Sequence, residues 1–328
     1  MTNFRAIVKR GEVEESFHEA KYLIKDSNFD ILVTSNNEND FVFPRSSIKI
    51  FQALPFIISG AHKIFDLDEQ ILALACSSHC GENFHVKCLE KWIKKLNIKL
   101  SDLKCGIHNP INYKSSNKLL LGGRTPNQLH NNCSGKHLAM ISGCISKKIS
   151  IKNYLHFNHP YQKLIRSSLE LFTNSLIKKT QMATDGCSAP QYAFKINNLA
   201  DAMVNLIKYS KNNNQYKKPI STLLNAIKKN PFLIGGTGRF DSELIKATKG
   251  RIFCKGGAEG VILFVDLKKQ IGGIIKIKDG NERAIPPITM KILDKVKLLK
   301  SNEKKQLKNW ISPILTNHAN KQVGQIIS

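Results

Sequence analysis

Apolar and polar residues alternate with a period of two through Phe4–Lys9 and again through Phe29–Ser35, and this period with its β-branched content predicts two strands. The charged stretch Glu12–Lys25 between them reads as a further strand or a short helix. Past Pro44 the period changes. Ile48, Ile50, Phe51 and Leu54 make an apolar helical stripe, entered through Pro44 and the serines after it and running up to Pro55. A second helix is predicted over Asp68–Cys76, and Gly81 lets the chain turn into a third over Glu82–Leu96.

From residue 100 to 190 the pattern turns loop-rich and polar, as in HNPINYKSSNK and GGRTPNQLHNNCSGKH, with helices near Leu138–Ser146 and Tyr161–Lys178. Irregular segments of this length inside a compact chain usually carry function. Helices at Asn198–Tyr209 and Ser221–Lys229 follow, then the glycine-rich IGGTGRFDSEL, strands at Arg251–Cys254, Gly260–Asp266 and Gly272–Lys278, and a closing helix around Pro287–Leu299. Strands near both termini with helices between them imply an α/β architecture: a sheet built from 1–60 and 230–328, and a helical, loop-rich middle over 61–229. The natural cleft of such an arrangement lies between sheet and helical lobe.

Length tempers that picture. At 328 residues the chain exceeds the roughly 250–300 at which single cores stop growing, so one large domain with a sizeable insertion or two intimate lobes is expected. Its 41% hydrophobic content and the lack of any apolar run near the roughly 20 residues of a membrane span point to a soluble globular protein with no membrane partner. The opening MTNFRAIVKRGEVEE has no apolar signal region, which implies the cytoplasm. The eight cysteines are therefore expected reduced, serving burial, metal binding or catalysis. Fifty Lys and Arg against 25 Asp and Glu give +25, a balance compatible with nucleic acid. The excess is lysine scattered among Asn and Ile, with no Arg-rich cluster, RNA-binding aromatic signature or zinc-finger spacing, so an ordinary enzyme surface is the favoured explanation and no nucleic-acid partner is expected.

Four features carry candidate chemistry. In FPRSSIK, Ser46 and Lys49 are three apart at the start of an apolar helix, a spacing that puts both on one face; a lysine turned from water can lose its proton and activate a serine. Lys255-Gly256-Gly257 ends a predicted strand, in the manner of the Lys-Thr/Ser-Gly strand that penicillin-recognising serine hydrolases pair with S-x-x-K. Glycine stands here at the middle position, and a plain hairpin turn is the competing explanation. In CSSHCGE, Ser78 sits at a helix end beside His79, as either a catalytic hydroxyl or a helix terminus satisfying its own backbone. NNCSGKH and TDGCSAPQ place Cys133 and Cys187 in polar loops, which suits a zinc site in donor type although no C-x-x-C spacing accompanies them.

Taken in chain order, PRSSIK, SSHCGE, LKCGIHNP, NNCSGKH, TDGCSAP, GTGRFD and FCKGGAEG resemble the motif series of the asparaginase II family, typified by the inducible, thermolabile asparaginase of Rhizobium. The likeness extends from the first strand to about residue 265. It implies hydrolysis of L-asparagine to L-aspartate and ammonia on a fold similar to serine β-lactamases and glutaminases. By motif, Ser46 with Lys49 and Ser78 with Lys255 correspond to two Ser-Lys pairs, and Cys133, Lys136 and Cys187 to the ligands of one zinc per chain. Asp185 and His137 would flank the metal, and Arg45 or Arg124 would meet the substrate carboxylate. A homodimer is also implied. A related Ser-Lys amidase, acting on glutamine or a β-lactam, is the alternative, and a basic nucleic-acid-binding protein the third reading.

Overall fold

A computed structural model describes residues 4–328. The strands are β1 (Arg5–Arg10), β2 (Val13–Lys25), β3 (Ile31–Thr34), β4 (Phe41–Val42), β5 (Met182–Thr184), β6 (Pro190–Tyr192), β7 (Phe194–Lys195), β8 (Ile252–Gly257), β9 (Val261–Asp266), β10 (Ile271–Ile277), β11 (Ile314–Thr316) and β12 (Gln322–Ile327). The helices are α1 (Lys49–Ile58), α2 (Ala61–Ile64), α3 (Glu69–Ala75), α4 (Asn83–Leu96), α5 (Tyr113–Leu121), α6 (Ser134–Ser146), α7 (Pro160–Thr173), α8 (Ile196–Lys211), α9 (Lys217–Lys229), α10 (Phe240–Ala247), α11 (Ile285–Lys295), α12 (Ser301–Gln306) and α13 (Lys308–Ile311). Two compact units result, one of residues 4–47, 194–207 and 243–328, the other of 48–193 and 208–242.

The first unit holds the main sheet. Among the described residues it has eight strands in the order β11-β12-β1-β2-β10-β9-β8, with β3 on the path's side against β2 and every pairing antiparallel. The Glu12–Lys25 stretch is a strand, not a helix: Gly11 turns the chain at φ 58°, and His18, Ala20 and Tyr22 then alternate inward. The expected α/β class, with a sheet drawn from both chain ends, holds. The last segment does more than the closing helix predicted: β12 returns to pair with β1, Ile327 facing Ile7.

Buried charge pins this sheet. Asp266, fully buried at the end of β9, accepts the Lys268 and Lys269 N–H groups and pairs with Arg251 Nη1, whose Nη2 reaches Glu303 Oε2 at 2.6 Å and the Leu298 carbonyl at 2.9 Å. Lys25 makes a second pair with Asp201 of α8 at 2.6 Å. Removing one partner of a buried pair strands the other charge, at about 3–5 kcal/mol. Asp266→Ala is therefore expected to lower unfolding free energy by about that amount, read as a lower urea midpoint; an unchanged midpoint would show that Arg251 finds water instead.

The second unit is helical. α1 is buried almost all round, Lys49 to Ile57, and packs on α6, α7 and α9. The predicted stop at Pro55 is overridden, and the helix runs on to Ile58. Pro55 cannot donate to the Phe51 carbonyl, but the Ser168 hydroxyl of α7 does so at 3.0 Å. Three further expectations are corrected. The polar stretch before residue 125 contains α5, α6 starts at Ser134 and not Leu138, and α7 stops at Thr173 where Asn174 adopts φ 49°. No helix among the described residues is long and apolar enough to cross a membrane.

Candidate active site

The Pro44–Lys49 entry separates its two serines. A short 3-10 turn, Arg45–Ile48, leads directly into α1, with Arg45 in the left-handed region at φ 53°. Ser47 is fully buried, and both its N–H (3.1 Å) and its hydroxyl (2.7 Å) donate to the Pro44 carbonyl. Ser46 stays half-buried, so it is the serine a solute can reach.

In the same unit, β8 brings its glycines against this turn. A Cβ on Gly257 would lie 2.6 Å from the Pro44 oxygen and 3.1 Å from the Ser46 nitrogen, so only glycine permits the approach. Lys255, buried on the same strand, donates from Nζ to the Gly256 carbonyl at 2.9 Å. Gly257→Ala is expected to push the Ser46 turn outward at a cost of about 1–3 kcal/mol, read as a lower urea midpoint; an unchanged midpoint would show that the turn yields freely.

The helical unit gathers the other candidates. Lys49 is the first residue of α1 and 1% exposed; its Nζ donates to the Ser77 carbonyl and to Cys133 Sγ at 3.2 Å. Ser77 ends the turn after α3, and Ser78 beside it is half-buried with its N–H on the Ile234 carbonyl at 2.8 Å. Cys133 stands at the N-terminus of α6, which places Lys136 and His137 in its first turn. Cys187 arrives from the tight loop between β5 and β6, closed by Asp185 N–H to Ala189 O at 2.9 Å and Ser188 N–H to Asp185 O at 2.8 Å. Lys136 Nζ is 3.1 Å from Cys187 Sγ, and Asp185 Oδ2 is 3.4 Å from the same sulfur. The donor atoms of Cys133, Asp185 and Cys187 all lie within 4.8 Å of one another.

Cys133 is coupled to Cys187. Its hydrogen bond to Cys187 raises the Cys133 pKa, with burial adding; the same bond lowers that of Cys187 against burial, with the Lys136 ammonium helping. Burial works to discharge Lys136, but Cys187, Cys133 and Asp185 outweigh it and raise its pKa. His137 is neutral, brought down to about 3 by burial and by Lys136. Tyr154 accepts the Lys104 N–H at 3.0 Å and shares a hydrogen bond of 2.6 Å with His137 Nδ1, while His137 Nε2 is buried without a hydrogen-bond partner among the described residues. Nothing in the motifs pointed to Tyr154 or to the Ser77 carbonyl. His79 is occupied structurally, taking the Gly81 N–H at 3.1 Å and meeting Ser134 Oγ at 2.8 Å. Arg124 is exposed just past α5.

Cys133, Lys136 and Cys187 thus converge, 54 residues apart in sequence at their extremes, and the donor set fits zinc: two sulfurs and an amine in a buried setting, with a carboxylate and an orphaned imidazole nitrogen nearby. Ser46 and Lys255 are held in the sheet unit, while Lys49 and Ser78 are held in the helical one.

Along Pro44–Lys49, Ser46 is half-buried and Lys49, three residues on, is buried. The L-asparaginase II family model matches residues 6–328, and the chain belongs to that family, a group of amidohydrolases acting on a small molecule. No curated protein matches it significantly in sequence. Among solved structures it is similar to a protein described as "putative beta-lactamase" from Bacteroides dorei DSM 17855, at 11% identity over 84% of this chain and 93% of that one, with a TM-score of 0.42. So distant a likeness carries no conclusion about chemistry.

Proposed function

We propose that the chain hydrolyses L-asparagine to L-aspartate and ammonia, with Ser46 as nucleophile and Lys49 as its base. The observation that carries this reading is the contrast along FPRSSIK, a reachable Ser46 and a buried Lys49, in a chain that the L-asparaginase II family model spans. Lys49, as the free amine, accepts the Ser46 proton while Oγ attacks the side-chain amide carbon. The oxyanion takes hydrogen bonds from backbone N–H groups at Ser46 and the end of β8, each worth about 3–4 kcal/mol in comparable sites. The proton that Lys49 took from Ser46 passes through the Ser78 hydroxyl to the departing ammonia, which leaves Lys49 free to deprotonate a water; the water attacks the aspartyl ester, and the proton returns from Lys49 to Ser46 Oγ.

Cys133, Lys136 and Cys187 would hold a zinc ion, which when bound would supply a fixed positive centre for the amino-acid end of the substrate. For that the Lys136 ammonium and the Cys133 thiol must each release a proton, so metal binding is coupled to proton release. Asp185 and His137 then act as neighbours that orient these donors.

The second reading is a glutamine-directed amidase, which differs by one methylene in the substrate. Such a difference is worth about 1–3 kcal/mol, or roughly 10- to 200-fold in kcat/KM. Ammonia release from asparagine is expected to exceed that from glutamine by at least about 10-fold in kcat/KM. A preference for glutamine would overturn the substrate assignment but leave the Ser46 chemistry standing.

A further inference from the structure

We propose that Cys80, Glu82 and His85 form a second metal site, separate from Cys133, Lys136 and Cys187, that takes a zinc-type divalent cation and clamps the Ser78 loop to the turn at Gly236–Thr237. The three donor atoms lie within 4.8 Å of one another, and Cys80 and His85 are buried. They come from one short stretch, Cys-x-Glu-x-x-His, in which the chain turns at Gly81 and enters α4, so the spacing itself brings the three side chains together.

The hydrogen bonds already have the pattern of a ligand set. His85 Nε2–H donates to the Phe232 carbonyl at 3.1 Å, the outer bond by which metal-bound histidines are usually oriented, and this leaves the Nδ1 lone pair on the cluster side, where it accepts the Glu82 N–H at 3.2 Å, a bond that an ion would displace. Glu82 Oε1 accepts from the Cys80 thiol at 3.1 Å and from the Thr237 N–H at 2.8 Å. The opposite wall is bare backbone: at φ 125°, a Cβ on Gly236 would fall 2.1 Å from Cys80 Sγ and 2.7 Å from Glu82 Oε1.

Charge and donor type select the ion. One thiolate, one carboxylate and a neutral imidazole bring two negative charges, which neutralise a dication, and sulfur with nitrogen disfavours magnesium and calcium. Binding forms the Cys80–metal bond and releases the thiol proton to solvent. Glu82 is half-buried and Thr237 exposed, so the ion has an entry path and a water can complete a four-coordinate shell. The clamp matters because the Ser78 N–H already donates to the Ile234 carbonyl, two residues before Gly236.

The test counts metal per chain. The full chain, stripped with a chelator and dialysed against zinc, is expected to hold two equivalents by elemental analysis, the Cys133→Ser/Cys187→Ser variant one, and the Cys80→Ser/Glu82→Gln variant one. In parallel, iodoacetamide labelling of Cys80 in the unmutated chain, read by peptide mass mapping, is expected to fall at least about fivefold on adding zinc; this arm does not depend on any variant folding. The proposal is overturned if Cys80 labels equally with and without zinc, or if a folded Cys133→Ser/Cys187→Ser variant holds no metal. A single equivalent that survives Cys133→Ser/Cys187→Ser but not Cys80→Ser/Glu82→Gln would support this site while removing the first.

Discussion

Ser46→Ala is expected to lower asparagine turnover at least about 1,000-fold with a change in melting temperature of no more than a few degrees, because the variant deletes the attacking oxygen from a half-exposed turn. Lys49→Met should reach a similar loss of activity by another route. Methionine keeps the apolar stem inside the helical unit, but the amine that takes the serine proton is gone, along with the donor to the Ser77 carbonyl and Cys133. An unfilled buried carbonyl costs about 1–3 kcal/mol, so Lys49→Met is expected to lose more stability than Ser46→Ala. The two therefore separate chemistry from folding. If Ser46→Ala kept more than about a tenth of wild-type ammonia release, the nucleophile would lie elsewhere, and Ser78 would be the next serine to replace. Neighbouring Ser47→Ala makes a useful contrast: its hydroxyl is committed to Pro44, so its loss should show in stability and leave the attack step in place.

The metal forms the second large expected effect. Cys187→Ala or Cys133→Ala should each remove one zinc equivalent per chain, a loss in affinity well beyond the 10- to 100-fold that follows from disturbing an outer neighbour of a ligand. The physical reason is local. Each variant deletes one of the two sulfur donors, and the sulfur and amine that remain are too few to hold a tetrahedral ion. Zinc measured at wild-type level in both variants would return the cluster to a plain buried ion pair between Lys136 and Cys187. A lower zinc content with unchanged turnover would keep the site but remove it from the reaction.

How far the sequence reached depended on whether a signal was local. β1, β8, β9 and β10 follow from alternation and apolar runs, and α3 and α4 from periodicity beside clear turn residues. The misses share a cause. α5 is polar with a single buried leucine, so its helix is concealed in composition; α6 begins at Ser134 because Cys133 ends a turn whose residues individually read as loop. Pro55 looked like a stop because the group that replaces its missing donor, the Ser168 hydroxyl, lies 117 residues beyond the Phe51 carbonyl it serves.

The same division runs through the site. Motif order singled out Ser46, Lys49, Cys133, Lys136 and Cys187 as candidates and pointed to an amide-hydrolysing family, since side-chain chemistry and short spacings are written in the chain itself. Folding alone decided which serine stays reachable, that the Cys133 pKa is raised and that of Cys187 lowered, that Lys49 rests on the Ser77 carbonyl, and that β12 pairs with β1. Exposure, proton affinity and strand partners depend on groups brought together from distant parts of the chain, and no local pattern encodes them.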